Sequence, residues 1–185
     1  MAVKCRIPVV LAALSVVLLT GCSHDRYGGL PKSDVAAAAV VGERAGIMSA
    51  KETEQYYTLN GRVINREKLS TSDVDWLLAL VDRPGTPAQV DARHLGIGST
   101  LQNIQRNDVT TAQANRILAL AADLASVKGG TDQSTSHMIA CRIFGQFGGQ
   151  QSTSYLTMLF NDPDPIVARE ARKAARKLKK GLAKP

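Results

Sequence analysis

The side chains best suited to metal binding or nucleophilic chemistry are Cys5, Cys22, Cys141, His24, His94 and His137. Only His137 and Cys141 are spaced to act together, because residues four apart share one face of a helix. Two ligands without a third or fourth make a poor zinc site, so the pair reads as a polar or core contact. Asp73 and Asp75 in "DVDW" offer two carboxylates. At a spacing of two they point apart on a helix and suit its positive N-terminus better than acid–base work. No GxSxG, HExxH, Walker-type loop or Cys-His-Asp signature is present in the sequence. No catalytic residue, metal ligand set or cofactor motif is assigned, and the chain is read as a non-enzyme.

Charge is the next candidate for chemistry. Lys and Arg number 23 against 16 Asp and Glu, a net of +7. Residues 165–185 hold eight basic residues and one acid, Glu170, so this tail alone carries +7. On a helix, Val167, Ala171, Ala174, Leu178 and Leu182 form an inward stripe. Arg169, Arg172, Lys173, Arg176, Lys177, Lys179 and Lys180 then occupy the other faces. One reading is a solvated capping helix whose cations suit its C-terminal end. Another is attraction to anionic lipid headgroups or an acidic polymer, at about 1 kcal/mol per cation near a charged membrane. Nucleic acid is excluded as a partner, since aromatic residues make up only 4% of the chain and leave few rings to interleave.

The elements that would position these groups are mostly helical, as abundant Ala and Leu suggest. The segment "DVAAAAVVGERAGIMSA" (34–50) reads as an Ala-rich helix with Asp34 as cap. In "YYTLNGRVI", Asn60-Gly61 lies between two β-prone runs and predicts a small β-hairpin over 56–64. "STSDVDWLLALV" predicts a helix with a capping-box-like Ser72 and Asp75 and an apolar face of Val74, Leu77, Leu78 and Val81. Pro87 opens a helix toward Gln105, interrupted by Gly96 and Gly98. Thr110 to Val127 places Ala114, Ile117, Leu118, Ala121, Leu124 and Ala125 on one stripe, and Gly129-Gly130 stops it. A fourth helix carries Ile139, Ala140, Ile143, Phe144 and Phe147, and "SYLTMLF" a fifth. In "NDPDP", Asp164 caps and Pro165 opens the last helix, which runs to about Lys180.

The N-terminus decides location. Lys4 and Arg6 precede an apolar run from Ile7. Its fourteen residues to Thr20 rise about 21 Å as a helix, short of the roughly 30 Å hydrocarbon layer. The run ends in Leu19-Thr20-Gly21-Cys22, which resembles the lipobox of bacterial lipoproteins. The resemblance implies cleavage before Cys22, a diacylglycerol on its thiol and an acyl chain on its amine; two or more chains give stable anchoring. Ser23 after the Cys resembles the signal for passage to the outer membrane, which implies a lipoprotein of the bacterial envelope, in the outer membrane and facing the periplasm.

Loss of residues 1–21 removes Lys4 and Arg6 and leaves 21 basic against 16 acidic residues. Cys141 is then the only unmodified thiol, expected buried and inert. The organisation expected is a signal peptide at 1–21, a flexible tether at 22–34 marked by Gly28-Gly29 and Pro31, an N-terminal cap at 35–69 with helix and hairpin, and a helical domain at 70–182.

Six helices in three hairpins suggest a repeat. Leu77-Leu78 and Ile117-Leu118 lie 40 residues apart, and "ARHLGIG" (92–98), "CRIFGQFG" (141–148) and "ARKLKKG" (175–181) share a small residue followed by Arg. "LTMLFNDPDPIVAREARKAARKL" (156–178) resembles one unit of the HEAT-repeat family. That resemblance implies a mainly α fold, a short array of antiparallel helical hairpins forming an α-solenoid with an extended concave surface.

Together these readings predict a lipid-anchored, non-catalytic scaffold or adaptor for another envelope protein. Arg93, Arg142, Arg169, Arg172, Arg176 and Lys177 are its candidate binding residues. The competing function is a tether from the lipid bilayer at Cys22 to an anionic lipid or polymer through the basic last helix.

Overall fold

A computed structural model describes residues 26–27, 30–130 and 132–182. Arg26–Tyr27 and Leu30–Pro31 pair antiparallel over two residues each. Eight α-helices follow among the described residues: α1 (Lys32–Arg44), α2 (Ala50–Ile64), α3 (Thr71–Val81), α4 (Pro87–Leu101), α5 (Thr111–Ala125), α6 (Gln133–Phe147), α7 (Ser152–Met158) and α8 (Pro165–Leu182). The fold is mainly α. Two compact units divide the chain, one within Met1–Glu67 and Gly85–Ala92, the other within Lys68–Pro84 and Arg93–Pro185. The first turn of α4 belongs with the N-terminal unit.

In the first unit α1 packs on α2. The hairpin expected over 56–64 is not formed: these residues lie inside α2. A local signal outweighs the Asn60-Gly61 turn propensity. Ser49 and Glu52 form a capping box, in which the Ser49 N–H donates to Glu52 Oε2 at 2.8 Å and the Glu52 N–H donates to Ser49 Oγ at 3.3 Å. The helix so started buries Thr53, Tyr56, Tyr57, Leu59 and Val63, which recur three and four apart as on one face of a helix. Helix α1 begins at Lys32, so the segment expected as tether at 22–34 ends in paired and helical structure.

The second unit owes its starts to similar caps. Helix α3 is capped by Ser70 and Asp73, not by Ser72 and Asp75: the Ser70 N–H donates to Asp73 Oδ2 at 3.0 Å and the Asp73 N–H to Ser70 Oγ at 3.1 Å. Asp75 instead accepts from Gln113 Nε2 at 2.8 Å. Thr110 and Gln113 cap α5 in the same way. The apolar stripes enter the core as expected, with Val74, Leu77, Ile117, Ala121, Ile143, Phe144, Leu156, Val167 and Ala171 buried, although Leu118 is half-buried and Leu120 takes the inward position. Gly98 lets α4 approach its neighbours closely, since a Cβ there would lie 2.9 Å from Leu124 Cδ1 and 3.2 Å from Ile139 Cγ2.

Helix α3 packs on α5, α5 on α6, α6 on α8, and α7 on α8. Side-chain ties across this unit keep a near-constant separation in sequence. Gln113 Nε2 donates to the Thr71 carbonyl 42 residues earlier, Arg142 Nη1 to Gln102 Oε1 40 earlier, and Gln146 Nε2 to the Ile104 carbonyl 42 earlier. Among the described residues no helix is long and apolar enough to cross a membrane.

Candidate functional site

The turn before α8 sets the site. His137, near the start of α6, is buried and lies between two acceptors: Nδ1 is 2.5 Å from Asp162 Oδ2 and Nε2 is 2.9 Å from the Val127 carbonyl oxygen. Each ring nitrogen therefore faces an oxygen from a different segment, one from the loop after α5 and one from the turn before α8. Asp162 Oδ1 also accepts from the Asp164 N–H at 2.8 Å. Asp164 in turn accepts from the Ile166 N–H at 2.8 Å and starts α8 as its cap, with Pro165 in the first helical position. That bond, helped by Ser134 and the Val167 N–H, holds the Asp164 carboxyl below its ordinary range. One buried histidine thus ties the end of α5, the body of α6 and the start of α8.

Helix α8 and α7 with the short 3-10 turn Leu159–Asn161 enclose an open groove of about 570 Å³. Arg172, Ala175, Arg176 and Lys179 line the α8 wall; Thr153, Thr157 and Phe160 line the other. Arg172 is ordered within it. Its Nη2 donates to the Phe160 carbonyl at 2.8 Å, and its guanidinium carbon stands 5.9 Å from the centre of the Phe160 ring, within cation–π range. Thr157 Oγ1 donates to the Thr153 carbonyl at 2.8 Å, leaving its oxygen lone pairs free to accept. Among the described residues no carboxylate forms an ion pair with Arg172, Arg176 or Lys179; the acid of this helix, Glu170, pairs with Lys173 at 3.4 Å.

Of the residues predicted to bind, Arg172 and Arg176 meet in this groove. Arg169 and Lys177 are exposed on α8 outside it, and Arg142 is exposed on α6, where it donates to Gln102 at 3.4 Å. Arg93 must be withdrawn. It is only 1% exposed, and its Nη2 donates to the carbonyls of Arg83 at 2.5 Å and Pro84 at 3.3 Å. A guanidinium turned inward onto a loop has no surface to offer a partner. Cys22 lies outside the described residues.

Lys179, Phe160, Thr153 and Thr157 were not singled out from the sequence as binding residues. Two signals could have found most of them: Arg172, Arg176 and Lys179 stand at i, i+4 and i+7 on one helical face, and Thr153 and Thr157 at i and i+4 on another.

His137 and Cys141 do not form a ligand pair, because His137 is committed to Asp162 and Val127. Cys141 is buried, and burial, reinforced by the Glu170 and Asp162 charges, pushes its thiol up to about 12. That suppresses the thiolate on which reactivity depends. His94 is half-buried with Nε2 3.3 Å from the Val81 carbonyl oxygen. Among the described residues no group of three His, Cys, Asp or Glu could hold a metal ion. Compared with known proteins, the chain matches no family model, no curated protein and no solved structure.

Proposed function

We propose that this protein is a non-catalytic docking module of the bacterial envelope, anchored by lipid on Cys22 and presenting a short HEAT-like array of helical hairpins to another envelope protein. The observation that carries the docking role is the convergence of Arg172, Arg176 and Lys179 on one wall of a groove where no described carboxylate pairs with them. The array is supported by packing of α3 on α5 and α6 on α8, first helix on first and second on second, and by hydrogen bonds repeating at 40 to 42 residues. The anchor, the outer-membrane location and the periplasmic orientation rest on Leu19-Thr20-Gly21-Cys22 and Ser23.

In-cell crosslinking with mass spectrometry tests this reading. The full lipoprotein should enrich a discrete envelope protein, and combined charge reversal at Arg142, Arg172 and Arg176 should remove it. An unchanged crosslink profile would sink the proposal. Metabolic labelling with palmitate should mark the chain and fail with Cys22→Ala.

A second reading is favoured by the exposure of Arg169, Lys173, Lys177 and Lys180 around the rest of α8. In it the basic helix tethers the anchored protein to an anionic lipid or polymer. Sedimentation with envelope material that disappears in high salt and on removal of residues 169–185 would select this tether.

A further inference from the structure

We infer that the groove between α7 and α8 takes an extended acidic peptide segment of a protein partner, with alternate side chains turned to its two walls. This deepens the docking reading above and rests on it. Along α8, Arg172 to Arg176 spans about 6 Å and Arg176 to Lys179 about 4.5 Å. In an extended chain, residues on the same side recur about every 6.6 Å. Three alternate carboxylates would therefore meet the three cations, with the long side chains of Arg176 and Lys179 absorbing the difference in length. The residues between them would face Thr153, Thr157 and Phe160.

Three features distinguish this surface from a cationic face made for a membrane. The cations line a groove of about 570 Å³, within the size of ordinary ligand clefts, so they are reached by a chain entering it and not by a broad plane. Phe160, Ala175 and the threonine methyl groups give apolar contact that headgroups would not use. Arg172 is fixed in advance by the Phe160 carbonyl and ring, so its remaining donors meet a carboxylate with little further loss of freedom. Lys173 and Lys177 are exposed on the same helix but do not line the groove, which supplies an internal control of equal charge.

The test uses the full-length chain in non-ionic detergent and fluorescence anisotropy of a fluorescein-labelled Glu-Val-Glu-Val-Glu peptide. The double variant Arg172→Ala/Arg176→Ala should weaken binding about tenfold, while Lys173→Ala/Lys177→Ala changes it less than about twofold. Ala175→Glu, which keeps a good helix former and introduces a carboxylate among the cations, should weaken binding comparably and guards against a folding defect in the double variant. A Glu-Glu-Glu-Val-Val peptide of the same composition should bind more weakly. Equal loss in the two double variants, or equal affinity for the two peptides, would overturn the inference in favour of unspecific charge attraction. So would sedimentation with phosphatidylglycerol vesicles that the groove variant loses while the peptide fails to bind. If the peptide fails to bind but the in-cell crosslink to a protein partner persists, the groove inference falls and the docking function stands.

Discussion

Arg93 on α4, Arg142 on α6 and Arg176 on α8 each follow a small residue in related strings, yet they meet three different fates. Arg93 is buried on the carbonyls of Arg83 and Pro84. Arg142 is exposed and joins its helix to Gln102. Arg176 lines an open groove with Arg172 and Lys179. The connection before each helix separates the two extremes. "DRPGTPAQ" places the carbonyls of Arg83 and Pro84 within reach of Arg93, whereas in "NDPDP" Asp162 and Asp164 accept from the local N–H groups. On α8 the Phe160 carbonyl is taken by Arg172, and Arg176, one turn further on, is left to line the groove.

The sharpest way to break this contrast is to open the turn that frees α8. His137→Ala would leave Asp162 Oδ2, on a side chain only 3% exposed, without its imidazole partner. Emptying the site of a buried ring and leaving its hydrogen-bond acceptors unpaired costs about 3 to 5 kcal/mol, so urea unfolding should show a loss of that order with little change in m. The double variant His137→Ala/Asp162→Ala should lose less than the two single variants summed, because both act on one contact. A loss below about 1 kcal/mol in His137→Ala would show that the turn does not depend on this pair.

Arg93→Ala comes next. It empties a buried site and strips hydrogen bonds from two loop carbonyls, for an expected loss of about 2 to 4 kcal/mol. The same measurement on Arg142→Ala should give far less, since that side chain is exposed and makes one long bond. Near-equal losses would erase the distinction drawn between the two arginines.

These positions also mark what could be read from the sequence. Helix α8, its apolar stripe and the Asp164-Pro165 start were legible, because amphipathic periodicity and cap chemistry are local. The fate of Arg93 was not, since a pattern of types does not reveal which backbone carbonyls a fold leaves nearby. The same limit hid His137, whose partners lie 10 and 25 residues away. Residues 56–64 differ in kind: the turn propensity of Asn60-Gly61 and the Ser49 and Glu52 cap are both local and legible, and the cap with the helical burial of Tyr56, Tyr57 and Val63 prevails. Half of the groove could have been found on a helical wheel of α8, but its other wall needed α7 folded against it.

A smaller effect separates the cap from the cations. Because hydrogen bonds to the Ile166 N–H and Ser134 hold the Asp164 carboxyl below its ordinary range, its ionised form favours the folded state. The sign follows: that stability is present above the usual carboxylate range and is lost as the pH falls through the depressed folded value. Asp164→Ala should therefore melt earlier than the parent at neutral pH and converge with it as the pH falls through that depressed value. A constant difference across that interval would mean that the carboxylate charge is not what stabilises the start of α8.

The smallest expected change in stability is the one that completes the comparison. Arg176 is exposed, and no described carboxylate pairs with it, so Arg176→Ala removes repulsion from Arg172 and Lys179 while giving up only solvated contact. Its unfolding free energy should stay within about 0.5 kcal/mol of the parent, with a shift toward greater stability at low salt, where repulsion between surface cations is least screened. Measured beside Arg93→Ala, a near-zero result would show that similar local strings place one arginine in the folding energy and leave the other free for a ligand. A loss above about 2 kcal/mol would instead make Arg176 part of the packing of α8 and remove the reason to expect its charge at the service of a partner.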